Sequence, residues 1–397
     1  MRAVSVILCI PLVAPLAFAQ GDRADIPWKV EIAKPELTYD QRFDLSVTIR
    51  IDGKTLVRRG GGNLETLVEI EDSQGHVYRD RQTQSPERIQ REMRRIELVI
   101  THRALVTPGD YKVSVALDDR VDGAHNLRHA VVHAEIPKTD LLPNSWDGMP
   151  QVEILPKVAE PEAFFRPELA GHLHLPVENQ APVRMEVIAR LPPWAGRGYF
   201  ISRAALSALV PQLKALSEIT LRNGEINVTL IDSIHSEAIE VTRHGQRLSW
   251  NLLRPGLVDP YSNVVDVRHY DPLHRAGSTE ITRAIAHCLA VQDTARVVVV
   301  YLGVYTHEFA KPSGWRPPVF ERHVEKTYVI DDFPEVDMGG EPTGPLFRRA
   351  PWNLQESGHG VSIEDILRAL HPRVFSVRHP AQFRDALAAI IEDLSRI

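Results

Sequence analysis

The hydrophobic period of this sequence changes part-way along the chain, and that change demands two different kinds of fold in one polypeptide. From Trp28 to Pro137 apolar and polar residues alternate one by one, as in 29–33, 43–51, 66–71, 95–100, 111–117 and 129–136. Alternation of period two buries one face of a strand and wets the other, the pattern of antiparallel sheets. Turn chemistry separates the runs at Asp52-Gly53, Gly60-Gly61-Gly62, Gln74-Gly75, Pro108-Gly109 and Asp122-Gly123. A turn of helix is expected around Ser85 to Met93. About seven strands in such a span predict a β-sandwich, placed at residues 26–137.

Prolines then recur at Pro143, Pro150, Pro156, Pro161 and Pro167. Spaced prolines favour extended, semi-rigid chain, so residues 138–172 read as a linker or as a strip lying across the domain surface. From residue 173 strands alternate with helices, which implies an α/β domain over 173–397 with a mostly parallel sheet. Strands are expected at 183–189, 225–232, 238–242, 295–302, 326–330 and 373–377. The run Ala295-Arg-Val-Val-Val-Val-Tyr-Leu302 is nearly all apolar, as in a parallel strand buried on both faces. Helices are expected at 202–219 with Ser202 as N-cap, at 279–290, at 362–370 with Glu364 and Asp365 in its first turn, and at 380–397.

The first residues read as an export signal. Met1-Arg2 is followed by an apolar run from Val4 to Leu16, broken by Pro11 and Pro15 and closing on Ala17-Phe18-Ala19. That is the small-x-small pattern of a cleavable signal peptide over residues 1–19. A membrane-spanning helix needs about 20 apolar residues, more than this run supplies. Cleavage removes Cys9 and leaves Cys288 as the one thiol, so the mature chain is expected to fold without an intramolecular disulfide. The formal charge of −6 disfavours a nucleic-acid partner. The expected location is the periplasm, the cell surface or the medium.

Two resemblances follow from particular residues. Leu105-Val-Thr-Pro-Gly-Asp-Tyr-Lys-Val-Ser-Val-Ala-Leu117 resembles the corner and following strand of an immunoglobulin-like domain, and implies that the Tyr111 phenol bonds back to the corner backbone. The C-terminal half resembles a von Willebrand factor A (VWA) domain of exported bacterial type. The resemblance is carried by 181–189, 205–216, 277–286, 297–303 and 373–387, which correspond in turn to the first strand, its helix, the loop entering a later helix, the central strand, and the last strand and helix.

That family holds Mg²⁺ through an Asp-x-Ser-x-Ser loop after the first strand, a Thr before the later helix and an Asp after the central strand. The first loop here reads Arg190-Leu-Pro-Pro-Trp-Ala-Gly196, and the loop after the central strand reads Gly303-Val-Tyr-Thr-His307. Neither has the carboxylate. Ser278 and Thr279 alone occupy the hydroxyl position. A hard cation needs carboxylate oxygens to offset its dehydration, so the metal site is expected to be lost, with no cofactor in its place. Ligands of open α/β sheets gather beyond the carboxyl ends of the strands. Trp194, Arg197, Tyr199, Ser278, Thr279, Tyr305 and His307 therefore form the candidate interaction face, since aromatics and Arg dominate binding surfaces.

Other clusters are weaker. His172 and His174 alternate on an expected strand but lack a third ligand at zinc spacing. Asp331, Asp332, Glu335 and Asp337 form an acidic stretch without calcium-loop spacing. Asn227-Val-Thr229 fits a glycosylation sequon inside a strand, and Cys288 reads as a buried thiol on a helix. The expected function is a non-catalytic binding or scaffolding protein with a protein partner. Two alternatives stay open: an exported enzyme using His307 and Glu308, or a structural component of an envelope complex.

Overall fold

The computed structural model describes residues 26–58, 63–84, 94–120, 123–136, 139–155, 170–191, 199–232, 237–242, 252–253, 270–290, 294–304, 308–310, 314–320, 323–332 and 360–397. Two architectures are joined in it, an antiparallel sandwich and a helix-covered, mostly parallel sheet, which is the fold class expected. The residues expected to form the signal peptide, and those of the expected turn at Ser85 to Met93, lie outside the described residues.

The sandwich is built from β1 (Trp28–Ile32), β2 (Glu36–Leu37), β3 (Phe43–Asp52), β4 (Leu64–Glu71), β5 (Val77–Gln84), β6 (Glu97–Val106), β7 (Gly109–Asp119), β8 (His125–Ala134) and β9 (Val152–Ile154). One sheet runs β1-β3-β6-β9 with β2 against β3, the other β5-β4-β7-β8, and every pairing is antiparallel. Alternation does the work in β3, where Phe43, Leu45, Val47, Ile49 and Ile51 are buried between the sheets. Each such apolar side chain contributes roughly 1.5–3 kcal/mol relative to exposure. At the corner before β7, the Tyr111 hydroxyl donates to the Thr107 carbonyl at 2.8 Å, the bond implied by the resemblance.

Two elements differ from expectation. The turn at Asp52-Gly53 is instead a short helix, α1 (Gly53–Arg58), whose Lys54 amide donates to Asp52 Oδ1 at 3.2 Å. Strand β5 escaped the sequence reading because Val77-Tyr-Arg-Asp-Arg-Gln-Thr-Gln84 has no apolar alternation. It lies at a sheet edge, where the backbone ladder to β4 and the cross-strand pairs Arg79–Glu69 and Arg81–Glu65 hold it.

Part of the proline-rich segment, residues 156–169, lies outside the described residues. Residues 139–155 lie on the sandwich, and β9 pairs with β6 as a further strand. Trp146 packs against Phe43 at a ring separation of 6.5 Å, and its indole N–H donates to the Gln41 carbonyl at 2.6 Å.

The second half contains β10 (Leu175–Val177), β11 (Val183–Arg190), α2 (Tyr199–Ser217), β12 (Ile219–Leu221), β13 (Gly224–Asp232), β14 (Glu237–Thr242), α3 (Tyr270–Ala290), β15 (Arg296–Val304), β16 (Glu308–Ala310), β17 (Lys326–Asp332), β18 (Gly360–Ser362), α4 (Ile363–Leu367), β19 (Arg373–Val377) and α5 (Pro380–Ser395). The main sheet has the order β14-β13-β11-β15-β17-β19, parallel except for β14 at its edge. Helices α2 and α5 cover one face, against Met185, Val187, Val298 and Val300. Helices α3 and α4 cover the other, against Ile188, Val299, Tyr301 and Val329.

Three helix starts need comment. Helix α2 begins at Tyr199, so Ser202 lies inside it and is not its N-cap. Helix α3 begins at Tyr270, ahead of the expected Thr279; Asp271-Pro272 in its first turn suits a start there, because proline lacks the N–H that an opening turn leaves unpaired. Helix α4 has the expected acidic first turn, closed as a capping box in which Ser362 Oγ accepts from the Asp365 amide and Asp365 Oδ2 accepts from the Ser362 amide. The chain at 171–174 is not a strand; only Leu175–Val177 pairs, with β12. No helix among the described residues is long and apolar enough to cross a membrane.

Candidate functional site

The sheet order reverses between β11 and β15, which makes the carboxyl ends of these two strands the switch point of the doubly wound sheet. Arg190 is the last residue of β11 and stands in register with Gly303 of β15, which in turn stands in register with Asp331 of β17. Arg190 is 6% exposed. A buried arginine thus ends β11 at the switch point of the sheet. Two members of the acidic stretch, Asp331 and Asp332, end the neighbouring strand, while Glu335 and Asp337 lie outside the described residues.

The candidate interaction face is only partly brought together. Trp194, Arg197, Tyr305 and His307 lie outside the described residues. Tyr199 opens α2. Ser278 and Thr279 are well inside α3, so they do not form the loop that enters the helix, and Thr279 is exposed there. Glu308 begins β16.

Further along β11 the even-numbered residues bury charge beneath α3. Arg184 Nε lies 2.9 Å from Glu186 Oε1, its Nη2 donates to the Cys288 carbonyl at 2.8 Å, and Asn227 Nδ2 donates to Glu186 at 3.1 Å. Burial raises the Glu186 carboxyl above its ordinary value, against the lowering effect of Asn227, Arg184 and the Cys288 thiol. Burial, with Glu186 adding to it, also pushes the Cys288 thiol far up, so this cysteine is an inert core group. Asn227 is engaged inside the strand, and its sequon is not on a loop.

The sandwich holds a hydroxyl–imidazole–carboxylate chain that sequence reading missed. His102 Nε2 lies 2.8 Å from Thr66 Oγ1, and His102 Nδ1 lies 2.6 Å from Asp80 Oδ2. The order is that of a catalytic triad, but Thr66 is 0% exposed, so no substrate carbonyl can reach its oxygen. Thr66 and Asp80 belong to one sheet and His102 to the other, and the chain works as a polar strut between them.

The densest polar constellation joins the halves. Arg384, on the buried face of α5, donates through Nε and Nη2 to the two carboxylate oxygens of Asp140 at 2.6 and 2.8 Å. It also donates to the Leu142 carbonyl at 2.6 Å, to Ser145 Oγ at 3.0 Å and to Gln41 Oε1 at 3.4 Å, and its guanidinium lies 4.0 Å from the centre of the Trp146 ring. Arg384 is 4% and Asp140 6% exposed. Burial favours the neutral acid, but hydrogen bonds and charge from Arg384, with the Leu142 and Leu141 amides, outweigh it and hold the Asp140 carboxyl below its ordinary value. Nearby, Arg42 Nη1 donates to Glu153 at 2.6 Å, and the amides of Ala170 and Gly171 donate to the same carboxylate. Glu153 is likewise lowered, because Arg42 and these amides overcome its burial. His172 Nδ1 lies 2.8 Å from Glu218 Oε1, which fastens the returning chain to the end of α2. Among the described residues no group of three His, Cys, Asp or Glu side chains could hold a metal ion.

No protein-family model matches the sequence, and no curated protein matches it. Among solved structures, the β-glucuronidase of Bacteroides uniformis is similar at 7% identity and a TM-score of 0.17, over 69% of this chain. The match spans 33% of that enzyme's chain, and at this TM-score it carries no argument about fold or activity.

Proposed function

We propose that this chain is an exported, non-catalytic binding or scaffolding protein, acting through protein–protein contacts of a VWA-like half that has lost its metal site. The observation that carries the reading is Arg190, a buried guanidinium at the carboxyl end of the first strand and at the switch point of the sheet. A cation there repels Mg²⁺ at the position where the resemblance implies a ligand. Support for the VWA-like part comes from the doubly wound order with helices on both faces. The buried Arg384–Asp140 pair between α5 and the strip on the sandwich suits a scaffold, since it links the two halves.

The test is a thermal-shift titration of the mature protein with Mg²⁺, Mn²⁺ and Ca²⁺. No change in melting temperature is expected, because an ion that binds only the folded state would raise it. A rise of several degrees overturns the loss of the metal site. Crosslinking in the native host is expected to capture a protein partner through the sheet's carboxyl end, and capture through other surfaces alone overturns the assignment of that face.

A further inference from the structure

The two outer strands of the β5-β4-β7-β8 sheet are guarded very differently. Strand β5 carries Arg79, Asp80 and Arg81 in succession, the kind of charge that keeps an edge from pairing with another chain. Strand β8 runs through ten residues, His125-Asn-Leu-Arg-His-Ala-Val-Val-His-Ala134, with one permanent charge, Arg128, and no proline. Among the described residues no strand lies against its outer edge. Leu127 and Val131, on the sheet's outward face, are 57% and 60% exposed. On the next strand Ala116 stands in register with Leu127, and beyond it Leu67 of β4 stands in register with Ala116, so an aliphatic row leads to that edge.

The order of residues in β8 suits pairing with itself. Antiparallel pairing about a two-fold axis at His129 brings Leu127 opposite the partner subunit's Val131, and Val131 opposite the partner subunit's Leu127. Both aliphatic contacts fall on the same outward face, because side chains alternate along a strand. The same register sets Arg128 against the partner subunit's Ala130, so no permanent like charges oppose each other. Moving the axis to Ala130 sets Leu127 against the partner subunit's His133 and loses both aliphatic contacts.

We propose that β8 is a homodimerisation edge: two copies of this chain join their sandwiches edge to edge, antiparallel about His129, into one continuous sheet. The inference stands on the sandwich alone and does not depend on the reading of the α/β half. An edge contact of this kind is smaller than a standard stable interface, so a reversible, micromolar-class dimer is expected.

The experiment is light scattering coupled to size exclusion over a concentration series of the mature protein. The mass is expected to rise towards twice the monomer with concentration, and Leu127→Lys combined with Val131→Lys is expected to hold the protein monomeric with unchanged melting temperature. For the register, His129→Cys is expected to give a disulfide-linked dimer on mild oxidation, while Lys112→Cys, one strand in from the edge, is expected to give none; Cys288 is buried and does not compete. A mass that stays monomeric into the high micromolar range overturns the proposal. So does a dimer that survives the double lysine variant, or one in which Cys at position 129 fails to crosslink.

Discussion

Replacing Arg384 by methionine should be among the most damaging single changes available outside the two apolar cores. Methionine keeps the side chain's length over Trp146 but removes the cation from Asp140, which is 6% exposed and loses both guanidinium hydrogen bonds. Removing one member of a buried pair costs about 3–5 kcal/mol, because the remaining charge is stranded in a poorly solvated site. Loss of the cation–π contact at 4.0 Å falls within that range. The assay is urea unfolding followed by tryptophan fluorescence. Arg384→Met combined with Asp140→Leu removes both charges and should recover most of the deficit, since an apolar replacement of a buried pair is often neutral. The sign with pH is also fixed. Asp140 is depressed in the folded state, so the pair's contribution is complete above the ordinary Asp value of about 3.9 and is lost as pH falls through the lower folded value. In Arg384→Met the stranded acid takes up its proton more readily, so the deficit against wild type should shrink as pH falls from 7 towards about 4. A deficit below about 1 kcal/mol, or one no smaller in the double variant, refutes the reasoning. A deficit that does not change with pH refutes its electrostatic part.

Two further changes probe the frames of the two halves. Gly224 opens β13 at φ +149°, and a Cβ there would lie 1.9 Å from the Val183 carbonyl oxygen, so Gly224→Ala should separate β13 from β11 and lower stability by more than about 2 kcal/mol in the same urea assay. Tyr111→Phe removes the donor to Thr107 but keeps the ring in the core, and should cost about 1–2 kcal/mol with no change in the far-ultraviolet spectrum.

Sequence pattern revealed the elements whose burial follows from their own residues. Strands β3, β11 and β15 alternate or run apolar, the Ser362 box announces α4, and Pro380 with the stripe Phe383, Leu387, Ile390 and Leu394 announces α5. What it hid were polar groups buried by distant partners. Arg42, Arg184, Arg190 and Arg384 are all buried, yet pattern rules place arginine outside because an unpaired charge is costly in a core. One clue was present: Arg384 follows Phe383 on the apolar side of its helix, and Asp140 and Trp146 stand in a segment that otherwise reads as a tether. The pairing itself joins residues 244 positions apart and cannot be seen in any local window. Four residues of the candidate face, Trp194, Arg197, Tyr305 and His307, lie outside the described residues, and the start of α3 ahead of Ser278 is hidden because helix propensity is weak around Gly277.

The clamp around Arg384 also sets an order of events. The strip that carries Asp140, Ser145 and Trp146 can settle on the sandwich as soon as β6 exists, because β9 needs only that edge. Its remaining partner, α5, follows after the whole parallel sheet has been made in sequence, and contacts of such separation close late. A chain emerging N-terminus first therefore holds an Asp140 carboxylate without its cation until α5 docks. Until then the sandwich is a finished receptor for helix α5 of its own chain.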